Sequence, residues 1–251
     1  MLNEMEVFKT HFAAFADQYT VIGGMACDLL MSDAALEFRA TQDVDMVLVV
    51  EALTTEFATA FGQFIENGGY TNAARSTGEP EFYRFLNPTT PNYPKMIEFF
   101  SRPQQGVQLR YEGHLMPLHI DDNVQSLSAI LPDDDYYRFL LEGRVQAEDI
   151  TVLDALHIIP LKMAAWLDLT AQKASSKHVN DRDLRKHRLG VFRLFALISP
   201  EATVTAPTAV LADIHEFIEK MRTATIGLEA VGIRRSKDSM LDIYETIYQA
   251  E

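Results

Sequence analysis

The stretch Tyr19–Val50, YTVIGGMACDLLMSDAALEFRATQDVDMVLVV, decides the fold. It opens on the β-prone run Tyr19-Thr20-Val21-Ile22, which stops at Gly23-Gly24, and a helix through Met25–Met31 is expected next. Asp43–Val50, DVDMVLVV, is β-branched and apolar almost throughout and reads as a buried strand. Residues two apart on a strand share a face, so Asp43 and Asp45 point the same way, their Cα atoms about 6–7 Å apart. Two carboxylates that close disfavour each other's ionisation unless a cation sits between them. Mg²⁺ or Mn²⁺ held by such a pair and by substrate phosphates relieves the repulsion, a form in which phosphoryl-transfer sites recur. The glycine turn adds free backbone N–H groups at a helix N-terminus, where an anion is favoured. Taken singly, each feature has an ordinary reading as well: Asp43 as a turn cap, Gly23-Gly24 as a mere bend.

Working outward, residues 4–17 recur apolar at helical spacing, and Glu51–Asn67 does the same before the C-cap signal Gly68-Gly69. Residues 70–75, 81–86 and 95–101 are short strand candidates separated by Pro, Asn and Gly turns. The last of these, KMIEFFS, carries Glu98 among apolar neighbours. An acid there is paired, metal-bound, or on an edge facing water. As neighbour to Asp43–Val50, this strand would let Glu98 complete a three-carboxylate site or accept a proton as general base.

Beyond about residue 150 the character turns helical. Ala155–Thr170 is apolar nearly all round, with Pro160 expected to open its regular part or kink it. Lys177–Leu197 reads as a basic amphipathic helix, and apolar stripes over 210–221 and 241–248 give two more. The expected class is α+β. Residues 1–150 would form a mixed β-sheet domain with flanking helices, and residues 151–251 a mostly helical one.

A net charge of −14 over 251 residues argues against nonspecific nucleic-acid binding, which depends on Lys and Arg neutralising phosphate. Lys173–Arg193 is a local exception, with seven Lys and Arg residues in a short span, and suits either a solvated face or a phosphate-docking surface. Cys27 is the single cysteine, which rules out an intrachain disulfide and a cysteine metal cluster. No apolar run approaches the roughly 20 residues that span a bilayer, and the acidic N-terminus is unlike a signal peptide, so a cytoplasmic protein is expected. His114 with His119, and His178 with His187, fall out of phase for shared metal binding. Asp133-Asp134-Asp135 reads as a turn or helix start, and Trp166 and Cys27 as core residues.

The segments IGGMACDLL and FRATQDVDMVLV together resemble the signature of the DNA polymerase β-type nucleotidyltransferase superfamily. IIPLKMAAWLDL and KHVNDRDLRKHRLGVFRL resemble its AbiEii-like branch, known from abortive-infection and toxin–antitoxin systems. The resemblance covers roughly residues 20–195. It implies that Gly23 and Gly24 hold nucleotide phosphates and that Asp43, Asp45 and Glu98 bind two Mg²⁺ or Mn²⁺ ions, with Glu98 as base. It further implies nucleotide contacts from Lys162, Arg39, Thr41, Lys177 and Asp183. The implied reaction moves an NMP from an NTP to an acceptor hydroxyl on an RNA or tRNA end, a small cationic molecule such as an aminoglycoside, or a protein. A cognate antitoxin is an implied partner. Two departures stand out: a long Gly24–Asp43 spacing, and Glu98 where the family usually has Asp. Both also suit a relative that binds nucleotides or partners without turnover.

Overall fold

The structure is a computed structural model, described over residues 2–36, 38, 41–74, 80–101, 109–111, 114–116, 133–175 and 179–251. It divides into two compact units. One comprises Met1–Asn123 and Arg144–Leu153, the other Val124–Gly143 and Asp154–Glu251.

The first unit is built on a seven-stranded mixed sheet in the order β3-β4-β5-β2-β1-β9-β8. Its strands are β1 (Tyr19–Ile22), β2 (Asp43–Leu48), β3 (Thr71–Ala74), β4 (Pro80–Leu86), β5 (Met96–Phe100), β8 (Arg144–Ala147) and β9 (Ile150–Leu153). The hairpin of β6 (Leu109–Tyr111) and β7 (His114–Met116) forms a separate small sheet. Helices α1 (Leu2–Phe12), α2 (Gly23–Asp33) and α3 (Thr55–Gly68) complete the unit. The expected strands over 19–22, 43–50, 70–75, 81–86 and 95–101 are all present within a residue or two of their anticipated ends, and the α+β class holds.

Strand alternation gives this sheet two different faces. Phe8 and Phe12 of α1 and Phe57, Phe61 and Phe64 of α3 are fully buried. Through Tyr19, Phe85 and Phe99 they form an aromatic cluster on one face, with ring centroids between 5.2 and 5.7 Å for Phe8–Tyr19, Phe61–Phe85 and Phe61–Phe99. Edge-to-face packing of this kind adds about 0.5–1.5 kcal/mol per pair beyond area burial. The next residue along each strand faces the other way. Ile22, Asp45, Glu98 and Arg84 therefore share the opposite face.

Helix α3 starts at the N-cap Thr54, whose hydroxyl accepts from Phe57 N at 3.2 Å, and stops at Gly69, which adopts φ +62°. This is the C-cap that the Gly68-Gly69 pair announces. The β8–β9 hairpin has no counterpart in the sequence reading. Its turn residues Glu148 and Asp149 take positive φ without a glycine, so no turn signal marks it.

The second unit contains α4 (Asp134–Glu142), α5 (Ala155–Ala174), α6 (Asp181–Leu194), α7 (Thr208–Thr223), α8 (Lys237–Ile247) and the parallel pair β10 (Val204–Ala206) and β11 (Tyr248–Ala250). Asp133 is the N-cap of α4, its carboxylate accepting from Asp135 N and Tyr136 N, so the triple aspartate is a helix start. Pro160 lies inside α5. Proline has no N–H, which leaves the carbonyl four residues earlier without its helical donor. That carbonyl belongs to Leu156, and the Tyr248 hydroxyl donates to it at 2.7 Å. Trp166 is half-buried and packs edge-on against the fully buried Phe217 at 5.4 Å. No helix among the described residues is long and apolar enough to cross a membrane.

Candidate active site

The site is built where β1 ends and β2 begins. Ile22 pairs with Asp45 across the antiparallel β1–β2 ladder, and the chain turns at Gly23 straight into α2. Gly23 adopts φ +70°, a left-handed conformation that only glycine takes without strain. A β-carbon there would stand 2.2 Å from Asp45 Oδ2, so the Asp45 carboxylate occupies the space that any side chain at 23 would need. A β-carbon at Gly24 would stand 3.3 Å from Thr41 Cγ2. The two glycines thus let the start of β2 and its lead-in press against the first turn of α2. Asp45 lies at the positive end of that helix, where a carboxylate is favoured.

Thr41 is buried, and its hydroxyl accepts from Asp43 N at 3.3 Å, holding the lead-in to the strand. Asp43 and Asp45 are both half-buried and share the charged face. Cys27 donates its thiol to the Gly23 carbonyl at 2.9 Å and serves the turn itself.

β5 runs parallel to β2 with Asp45 in register with Glu98, and antiparallel to β4 with Glu98 in register with Arg84. Asp45, Glu98 and Arg84 therefore form one cross-strand row. Glu98 is 2% exposed, and Arg84 Nη2 donates to its Oε1 at 2.7 Å. A buried carboxylate needs such a partner.

The donor chemistry of Asp43 and Asp45 fits a hard divalent cation such as Mg²⁺ or Mn²⁺, since both offer carboxylate oxygens from one strand face. Glu98 fits less well. It shares their face, but among the described residues no three His, Cys, Asp or Glu side chains converge closely enough to hold a metal ion. Its charge is met instead by Arg84.

Other sequence-marked residues fall in the second unit or outside the described residues. Arg39 and Lys177 lie outside them. Asp183 sits in the first turn of α6, behind the N-cap Asn180, whose side chain accepts from Arg182 N at 2.9 Å. Lys162 is 6% exposed and runs along α6 at Gly190, where a β-carbon would meet its Cδ at 2.9 Å. Close by, His187 is pushed down to about 3, first by burial, then by the charges of Lys162 and Lys186. It is a neutral imidazole whose Nδ1 has no hydrogen-bond partner among the described residues. Of the basic stretch, Arg182, Arg185 and Lys186 are exposed, while Lys173 pairs with Asp181.

Sequence reasoning missed Arg84 and passed over His187. The only trace of Arg84 is one cation in the apolar run FYRFL, and linking it to Glu98 requires the β4–β5 register.

No protein-family model matches the chain, and no curated protein matches it. Among solved structures it is similar to the solution structure of the antibiotic-resistance factor ANT(2'')-Ia, described as showing substrate-regulated conformation dynamics. The identity is 11%, the match covers 92% of this chain and 98% of that one, and the TM-score is 0.34. So remote a likeness adds nothing to the chemistry, which rests on the strand register and the glycine turn.

Proposed function

We propose that the protein is a nucleotidyltransferase that moves an NMP from an NTP to an acceptor hydroxyl. The observation that carries this reading is the packing of the Asp45 carboxylate on Gly23, with Asp43 on the same face and Glu98 in register one strand over. Asp43 and Asp45 would hold Mg²⁺ or Mn²⁺, which supplies charge neutralisation to the phosphates when bound. The acceptor oxygen bonds to the α-phosphorus, the bond from that phosphorus to the bridging oxygen breaks, and pyrophosphate leaves. Glu98 is assigned the hydroxyl proton, with Arg84 fixing its carboxylate. Gly23, Gly24 and Thr41 line the turn beside which the phosphates would lie. On the resemblance alone, Arg39, Lys162, Lys177 and Asp183 are assigned nucleotide contacts, residues 151–251 the completion of the site, and the AbiEii-like branch its toxin-like setting with an antitoxin partner. For the acceptor, the exposed Arg182, Arg185 and Lys186 favour an RNA end such as tRNA.

The test is pyrophosphate release from each of the four NTPs with Mg²⁺ or Mn²⁺ and total cellular RNA, beside the double variant Asp43→Ala, Asp45→Ala. Release that needs both aspartates supports the reading and names the nucleotide. Release that survives the double variant overturns it.

One observation favours a second reading. The Arg84–Glu98 pair satisfies the third carboxylate without a metal, as it would in a nucleotide- or partner-binding module that keeps the site and has lost turnover. Metal-dependent NTP binding without pyrophosphate release from any NTP would select it.

A further inference from the structure

The row Arg84–Glu98–Asp45 crosses three adjacent strands, so its order is set by backbone pairing and not by side-chain choice. Its two carboxylates are next-door neighbours on one face. Two carboxylates so placed disfavour each other's ionisation unless a cation lies beside them. Here that neighbourhood already holds a cation: the Arg84 guanidinium is 2.7 Å from Glu98 Oε1, with the Arg84 side chain 18% and the Glu98 side chain 3% exposed. A guanidinium is permanently charged and presents a fixed fork to a carboxylate. An ion entering between Glu98 and Asp45 would have to displace it or tolerate it as a near neighbour of like charge.

We propose that Arg84 is a positioning residue that stands in for a second divalent ion: the site takes one ion through Asp43 and Asp45, and Glu98 supplies it no ligand. The inference rests on the metal reading given under Proposed function. It separates two tasks assigned together to Glu98, ligand and proton acceptor, and leaves it the second. With Arg84 beside them, Asp43, Asp45 and Glu98 leave a net charge that a single divalent ion balances, where three carboxylates alone would call for more than one.

Titration with Mn²⁺ alone, reading free Mn²⁺ by electron paramagnetic resonance, tests this on the full chain. The wild type is expected to bind one Mn²⁺, lost on Asp43→Ala. Glu98→Gln should keep that stoichiometry, with the Kd within about twofold, whereas an outer-sphere or ligand role would cost about 10–100-fold. Arg84→Gln should take up a second Mn²⁺, and Arg84→Lys, which keeps the charge, should not. Weakening of about tenfold or more on Glu98→Gln, or an Arg84→Gln titration identical to wild type, overturns the inference while leaving the metal reading in place. Absence of Mn²⁺ binding, or binding that survives Asp43→Ala, overturns the metal reading itself and this inference with it. If Arg84→Gln does not fold, as a circular-dichroism melt would reveal, the Glu98→Gln titration still decides.

Discussion

The carboxylate of Asp45 fills the space beside the α-carbon of Gly23, where a β-carbon would stand 2.2 Å from Asp45 Oδ2. The glycine is therefore required twice, once by its φ of +70° and once by contact. Gly23→Ala should cost about 1–3 kcal/mol in backbone strain and displace the aspartate. A displacement near 1 Å is enough to lower turnover by about 100-fold. Gly24→Ala meets the Thr41 side chain, tightly only at Cγ2 (3.3 Å), and gains helix propensity in α2, so its stability should stay within about 1 kcal/mol of wild type. Urea denaturation and pyrophosphate release on both variants check the contrast. Equal behaviour of the two would remove the special position given to Gly23.

Arg84 and Glu98 make a thermodynamic prediction apart from their chemistry. Arg84→Met alone takes the guanidinium away from a buried carboxylate and should destabilise the fold by about 3–5 kcal/mol. Adding Glu98→Met removes the buried charge as well, and the double variant should return close to wild type. A double-mutant cycle by chemical denaturation measures the coupling. Additive losses would mean that the two side chains do not depend on each other.

His187 gives the second unit an acid-sensitive point. Its folded-state pKa, near 3, lies below the ordinary histidine value of 6.5, so the unfolded chain takes up the proton first. Stability is then intact above about pH 6.5 and falls with acidification through the window down to about 3, by about 1.4 kcal/mol per pH unit. His187→Gln cannot take up that proton. Its unfolding free energy should fall by about 2 kcal/mol less than that of wild type between pH 6.5 and pH 5. Denaturant titrations at the two pH values make the comparison, and parallel losses would refute it.

The Tyr248 hydroxyl and Pro160 form a compensating pair, the one donating to the carbonyl that the other leaves without a donor. Tyr248→Phe should cost about 1–3 kcal/mol by stranding the Leu156 carbonyl. Pro160→Ala restores a backbone donor, so the same tyrosine change made on that background should cost clearly less. Thermal melts of the four proteins test the coupling.

The legible parts of this protein are those whose physics is local. The run DVDMVLVV identifies its own strand and places its two acids on one face, and Gly69 ends α3 as the glycine pair announces. Asp133 likewise caps α4 as its acidic neighbours suggest. Relationships set by register were not legible. Which strand lies beside β2, and which side chain meets Glu98, follow from ladders joining residues far apart in sequence. The same holds for His187. Its helical phase is readable, but its burial beside Lys162 comes from the packing of α6 on α5. The β8–β9 hairpin was hidden for another reason, because its positive-φ positions carry Glu148 and Asp149 where glycine or asparagine would have announced a turn.

Tyr248 also sets a clock on biosynthesis. The carbonyl it serves in α5 lies 92 positions earlier in the chain. At the roughly 5–20 residues per second of a translating ribosome, that carbonyl waits about 5–20 s for its donor. During that interval the Leu156 carbonyl is without its native side-chain donor, while all the strands of the seven-stranded sheet have already been synthesised.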